Sequence, residues 1–395
     1  MRYIDEMDIS GKKVFIRVDF NVPLDENQNI TDDNRIQAAL PTIEYALKKG
    51  ASLILASHLG RPKGQRNPKF SMEPVAKRLG ELLNKEVKLA PDCIGPEVAN
   101  MVAAMQPGEV IMLENLRFHK EETEDDPEFA RKLAALADVF INDAFAVCHR
   151  RNASVHAITE FVKECGAGLL IKNELHYYEK ALESPKHPLG VIVGGVKISS
   201  KLGALQNLMQ KVDKLFVGGA MANTFLVSQG YKVGKSLIEK DMVDTAARLI
   251  ETGKEKGISL FLPVDVVIAK KLERNAPFKE VDIANVPDDW QILDVGTKTV
   301  QKYADELKEC ATVIWNGPLG AFETSPFDRG TIGIAKCVAE LDALTVVGGG
   351  DTAAALKHAG VENKVSYIST GGGAFLKLLE GKKLPAIEAL ENCGK

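Results

Sequence analysis

The chain has 395 residues, 45% hydrophobic and 26% charged, with a net charge of −4 at pH 7. That length exceeds one ordinary core and predicts two domains. The acidic balance argues against a nucleic-acid binder, and no apolar run reaches the roughly 18 residues that span a bilayer.

The opening residues 1–8 (M-R-Y-I-D-E-M-D) lack the apolar core of a secretory leader, so a cytoplasmic protein is expected. Short β-rich runs then recur at 14–18, 52–56, 110–113 and 139–142. They continue at 189–193, 215–217, 259–262, 312–315 and 345–347. Between them lie amphipathic stretches such as 74–83, 128–136 and 241–256. Strand–helix alternation predicts parallel sheets covered by helices on both faces, with ligands beyond the carboxyl ends of the strands. The boundary is placed near 166–168, and 169–182 reads as one helix joining the two domains. The six cysteines form no C-x-x-C pair, which predicts spectator thiols in a reducing compartment.

Four runs of the first half end on polar or cationic residues. They lead to Asp19, Phe20 and Asn21; to His58, Leu59, Gly60 and Arg61; to Arg117; and to His149 and Arg150. Convergence of His58, Arg61, Arg117 and Arg150 would make a basic pocket for a small anion. Ten of the 13 arginines precede residue 152, whereas 26 of the 33 glycines follow it. That asymmetry predicts two different anion sites, although most of the early arginines other than Arg35, Arg61, Arg117 and Arg150 read as surface charge.

In the second half, the run at 189–193 leads to Gly194-Gly195, with Lys197 and Lys201 four residues apart. The spacing predicts both ammonium groups on one helix face near its N-terminus. The run at 345–347 leads to Gly348-Gly349-Gly350-Asp351-Thr352, and a second triple glycine stands at 371–373. Each offers a helix N-terminus to a phosphate, and Asp351 is a candidate Mg²⁺ ligand, directly or through water. The stretch 230–236 (G-Y-K-V-G-K-S) is one residue short of a Walker A motif and follows no β run, so it reads as a loop. No G-x-G-x-x-G fingerprint is present. From the residues alone, a kinase for another small metabolite or a non-catalytic anion binder stays open.

Taken together, R-V-D-F-N-V-P-L-D at 17–25, H-L-G-R-P-K-G at 58–64, E-N-L-R-F-H at 114–119 and W-N-G-P-L-G-A-F-E at 315–323 closely resemble the phosphoglycerate kinase family. Residues 194–201 and both triple-glycine runs also match. The resemblance covers essentially the whole chain. It implies an α/β fold of two Rossmann-like domains joined by a hinge helix. The domains would be 1–168 plus 378–395 for 3-phosphoglycerate, 169–184 for the helix and 185–377 for the nucleotide. It implies reversible phosphoryl transfer between 1,3-bisphosphoglycerate and ADP, with Mg²⁺, in a monomer that closes about its hinge.

Carried over by position, Asp19, Phe20, Asn21, Arg35, His58, Leu59, Gly60, Arg61, Arg117 and Arg150 look like the triose-acid site. Arg35, Lys197, Gly371 and Gly372 would serve the transferred group. Lys201, Asn316, Glu323, Gly349, Gly350, Asp351 and Thr352 resemble the nucleotide site, with Glu323 on the ribose. Ala146, Asn152, Ser200, Ala220 and Phe375 depart from the family's usual residues, and Arg151 is an unusual extra charge.

Overall fold

The computed structural model describes residues 1–394, which divide into two compact units, Met1–Leu175 with the chain from Lys383 onward, and His176–Lys382. The first unit carries six strands: β1 Lys13–Arg17, β2 Ser52–Ala56, β3 Val87–Leu89, β4 Val110–Met112, β5 Val139–Asn142 and β6 Glu164–Ala167. All pair in parallel, in the order β3-β4-β2-β1-β5-β6. Strands β2, β4 and β5 are buried along their whole length, as expected where helices cover both faces. Val14, Ile16, Leu53, Leu55, Met112 and Ile141 form the core on one face, against Ile36, Ile43 and Leu79 from the neighbouring helices.

Local chemistry fixes the helix ends. Helix Pro127–Ala134 starts with Pro127, and the Asp126 carboxylate accepts from Phe129 N at 2.7 Å. Helix Glu73–Leu83 ends on Asn84 in the left-handed region at φ 47°.

The C-terminal helix Pro385–Asn392 belongs to this first unit and buries Ala386, Ile387 and Leu390. Ala386 N donates to Cys148 O at 3.2 Å. Cys393, just past this helix, is disulfide-bonded to Cys165 of β6, with Cα atoms 6.3 Å apart and a sequence separation of 228. This corrects the expectation of six spectator thiols. Contact was created by the returning tail, which no local spacing announces.

The second unit repeats the plan. Strands β7 Leu189–Val193, β8 Lys214–Val217 and β9 Ser259–Phe261 come first. A three-stranded antiparallel sheet follows, from β10 Asp265–Ala269, β11 Phe278–Asp282 and β12 Gln291–Val295. Then come β13 Thr312–Asn316, β14 Leu344–Gly348 and β15 Tyr367–Ile368. The six parallel strands are ordered β15-β14-β13-β7-β8-β9. Trp315, wholly buried, packs with Phe216, Tyr303 and Ile334 in its core. The antiparallel sheet was not anticipated.

The chain passes between units inside helix Leu169–Tyr178. The helix expected over 169–182 changes at Glu179–Glu183 to a wider π turn. Among the described residues, no helix is long and apolar enough to cross a membrane.

Candidate functional site

In the first unit, the ends of β1, β2 and the loop after β4 are bound together by side chains. Phe20, fully buried, donates its N–H to Ser57 Oγ at 2.8 Å, and Gly60 N donates to Asn21 Oδ1 at 2.8 Å. Asn115 Nδ2 donates to Leu59 O at 2.7 Å and Phe70 O at 2.8 Å, while its Oδ1 accepts from Arg117 N at 3.0 Å. That last bond caps the short turn that aims Arg117, whose Nη1 reaches Gly60 O at 2.9 Å. Gly60 is required here: its φ is +61°, and a Cβ would sit 2.5 Å from the Phe70 ring.

Around this frame stand the cations. Arg35 Nη1 donates to Asp19 Oδ2 in an ion pair. His58 is 3% exposed, and its Nδ1 lies 3.3 Å from Arg17 Nη2 and 3.9 Å from Asp19 Oδ1. Burial holds its pKa well below the usual histidine value, and the charges of Arg17, Arg117, Arg35 and Arg150 push the same way. The imidazole is therefore neutral, and three of the sequence-selected arginines lie close enough to be felt by it. Burial, with repulsion from Arg17 and Arg150, lowers Arg117 to about 10. Arg150 is exposed, and its Nε contacts His149 Nε2 at 3.2 Å. Arg61 is also exposed and has no hydrogen-bond partner or ion pair among the described residues.

Arg17 is an exception among the remaining arginines, most of which read as surface charge. It is 1% exposed, with Nε on Ser154 Oγ at 2.9 Å and Nη1 on Val18 O. Its Nη2 lies 3.9 Å from the buried Glu122 carboxylate, which accepts from Ser154 N at 3.0 Å and Ser154 Oγ at 2.7 Å. Burial lowers the Arg17 pKa and raises that of Glu122. This pair backs His58 from inside. Its signal was Arg17 inside an apolar β run, where a lone charge needs a partner.

In the second unit, β7, β13 and β14 end together. Gly194 N donates to Asn316 O at 3.0 Å, and Gly195, at φ +109°, donates to Pro318 O at 2.9 Å. Lys201 Nζ donates to Asn316 O at 2.8 Å and to Asn316 Oδ1 at 2.6 Å. Burial depresses its pKa to about 8, opposed by the Asp351 charge. Asn316 Nδ2 donates to Gly348 O at 3.0 Å, and Thr352 Oγ1, wholly buried, accepts from Gly317 N at 2.7 Å.

Lys197 and Lys201 do not share a helix face, contrary to expectation. Helix Leu202–Leu208 begins after Lys201, and Lys197 sits exposed in the preceding loop. The loop that follows Gly194-Gly195 runs on through residue 201 and takes up the residues that the spacing assigns to the first helical turn.

Both triple-glycine runs open helices, Gly350–His358 after Gly349 and Gly372–Leu379 after Gly371. The two turns adjoin: a Cβ on Gly372 would stand 3.7 Å from Gly349 Cα. Their free N–H groups and helix dipoles thus meet beside Lys201 and Asn316, a cradle for adjacent phosphates. Phe375 packs on Gly348, where any Cβ would come 2.1 Å from its ring, so this departure is part of the cradle's floor. Asp351 is exposed in the first turn of its helix, and Glu323 is exposed after β13. The stretch 230–236 is irregular and turn-like, with no strand before it. A separate trio of possible metal ligands, Asp92, Cys93 and His119, lies in the first unit, where His119 Nε2 is 2.6 Å from Asp92 Oδ1.

Comparisons with known proteins bear on the family of the whole chain. The family model described as phosphoglycerate kinase matches residues 4–382. Phosphoglycerate kinases of Syntrophobacter fumaroxidans and Geobacter metallireducens are 53% and 55% identical, over 100% of this chain and 99% and 100% of theirs. The solved structure of phosphoglycerate kinase from Coxiella burnetii is 43% identical with a TM-score of 0.91, covering 100% of both chains. That from Pyrococcus horikoshii is 30% identical with a TM-score of 0.86, over 99% of this chain and 98% of the other. The chain belongs to the phosphoglycerate kinase family.

Proposed function

We propose that the chain transfers a phosphoryl group reversibly from 1,3-bisphosphoglycerate to ADP, giving 3-phosphoglycerate and ATP. One observation carries the reading beyond family membership. Each unit gathers groups suited to an anion, by different chemistry: arginines around a neutral His58 in one, and adjoining glycine-opened helices with Lys201 in the other.

The chemistry suits these parts. The acceptor in ATP synthesis is already an ionised phosphate, and the leaving group is a carboxylate, so neither needs a general base. Transfer becomes a matter of positioning and of neutralising charge on the moving group. Asp19, Phe20, Asn21, His58, Leu59 and Gly60 shape the triose-acid site, and Arg61, Arg117 and Arg150 hold the phosphate that stays. Arg35, Lys197 and the amides of Gly371 and Gly372 act on the group that moves. Lys201, Asn316, Glu323, Gly349, Gly350 and Thr352 hold the nucleotide.

Asp351 offers a hard, exposed oxygen beside the phosphate cradle, which fits Mg²⁺ shared with nucleotide phosphates. Bound there, Mg²⁺ would supply charge neutralisation of those phosphates. Hinge closure on ligand binding would exclude water from the acyl phosphate. A monomer in the cytoplasm accords with a small-molecule reaction of this kind.

The test is turnover of 3-phosphoglycerate with Mg-ATP, coupled to a dehydrogenase that consumes the acyl phosphate. Activity is expected. Silence, with folded protein and a working coupling enzyme, would refute the reading.

A further inference from the structure

We propose that a cleft beside Cys393 is a thiol-exchange site, where a small zwitterionic thiol or its disulfide switches the Cys165–Cys393 pair between dithiol and disulfide and so releases or latches the C-terminal helix. The cleft has a volume of about 530 Å³ and is lined by Arg151, His156, Glu160, Glu388, Asn392 and Cys393, among others. It lies wholly within the first unit. Cys393 is partly exposed there, whereas Cys165 is 4% exposed. An entering thiolate therefore meets the Cys393 sulfur first. Cys93 and Cys148, by contrast, are wholly buried, and burial raises both thiols' pKa, so they offer no thiolate to compete. The lining has both signs, Arg151 against Glu160 and Glu388, which suits a ligand carrying carboxylate and ammonium groups together.

The exchange balances without another reactant. A thiolate RS⁻ attacks Cys393 Sγ, the protein S–S bond breaks, and Cys165 leaves as thiolate and takes a proton. A second RS⁻ attacks the R-side sulfur of the mixed disulfide, giving RSSR and releasing the Cys393 thiolate, which is protonated. The sum is protein disulfide plus two RSH giving protein dithiol plus RSSR, and RSSR drives the reverse.

What the latch holds follows from packing. Helix Pro385–Asn392 sits over β6 and the turn Ala157–Glu160, and its Ala386 N grips Cys148 O. Cys148 closes the turn Phe145–Val147 that leads to Arg150, whose own N–H bonds Val147 O at 3.0 Å. Opening the disulfide loosens a segment that anchors this turn.

The test equilibrates full-length native protein with excess glutathione disulfide or excess glutathione. Mass mapping should show the Cys165–Cys393 cross-linked peptide in the first and not the second, with circular dichroism unchanged. The unfolding midpoint of the oxidised form should lie about 5–10 °C higher. Cys393→Ser should give one midpoint in both pools, equal to that of the reduced native chain. Arg151→Glu should slow exchange with glutathione severalfold but not with neutral 2-mercaptoethanol. A link that never forms, or resists glutathione until the protein unfolds, would overturn the switch. So would equal midpoints in the two pools. An Arg151→Glu rate unchanged with glutathione would overturn the cleft as the ligand's site.

Discussion

Lys201 gives the sharpest test of the nucleotide site, because its environment makes binding and protonation one event. Burial holds its pKa at about 8, against the ordinary 10.5. In the ligand-free protein at pH 9 only about a tenth of the Lys201 side chains are charged, against about nine-tenths at pH 7. Phosphates arriving beside the ammonium restore its ordinary basicity. Nucleotide binding then takes up about 0.9 of a proton at pH 9 and about 0.1 at pH 7. Titration calorimetry of Mg-ADP in buffers of different ionisation enthalpy reads this number directly. Lys201→Met keeps the length of the side chain and removes the proton, so the nucleotide's own protonation cancels in the difference between the two proteins. The substitution should also weaken binding by about 10–100-fold at pH 7, the worth of a hydrogen bond to a charged group. The stability sign is opposite to the binding sign. Because the folded pKa is depressed, the unfolded chain binds more protons between pH 8 and 10.5. The Lys201 contribution to stability therefore rises with pH across that window, by on the order of 3 kcal/mol. A proton uptake at pH 9 that is the same in both proteins would refute the role assigned to Lys201.

The other expectations are briefer. Arg35→Ala should lose on the order of 10²–10³ in turnover, as for one preorganised transition-state donor, and near-normal turnover in the coupled assay would remove Arg35 from the mechanism. Small-angle scattering with both substrates bound should show a smaller radius of gyration, and no change at proven occupancy would count against closure. Glu122→Gln strips the buried Arg17 of the one carboxylate within 4 Å among the described residues and should cost about 3–5 kcal/mol in urea unfolding; a cost near zero would show the pair to be idle. Asp143 is wholly buried and accepts from Leu170 N and Ile171 N, and burial raises its pKa to about 7. The folded state then binds more protons than the unfolded between pH 4 and 7, so this residue's contribution falls as pH rises through that range. Asp143→Asn should be more stable than the native chain at pH 8, with the gap closing near pH 4; a pH-independent gap would contradict this.

The parallel sheets were legible because doubly covered strands write continuous apolar runs. The runs at 52–56, 139–142 and 189–193 are strands β2, β5 and β7 to the residue. The antiparallel sheet was not legible because β11 is mostly exposed and β12 only half-buried, so neither writes such a run. Motifs placed the glycine turns correctly, since a required conformation leaves a required residue. They misjudged Lys197, because where a helix begins depends on the turn before it, and the turn took more chain than spacing suggested. Arg17 and the Cys165–Cys393 pair were missed for a shared reason. Their partners, Glu122 and the returning tail, are distant in sequence, and only folding supplies them.

His58 bears on how the protein meets changing acidity. It is deeply buried, and burial, helped by the surrounding arginines, keeps it uncharged. The cations that press on it are guanidiniums, and burial lowers Arg117 only to about 10. Near neutral pH the imidazole therefore adds no charge of its own, and the positive charge of the pocket is carried by guanidinium groups. Its hold on an anionic metabolite should weaken as ionic strength rises. Acidification would reach that half of the reaction through the metabolite's own phosphate, whose second proton titrates at about pH 6, rather than through the imidazole.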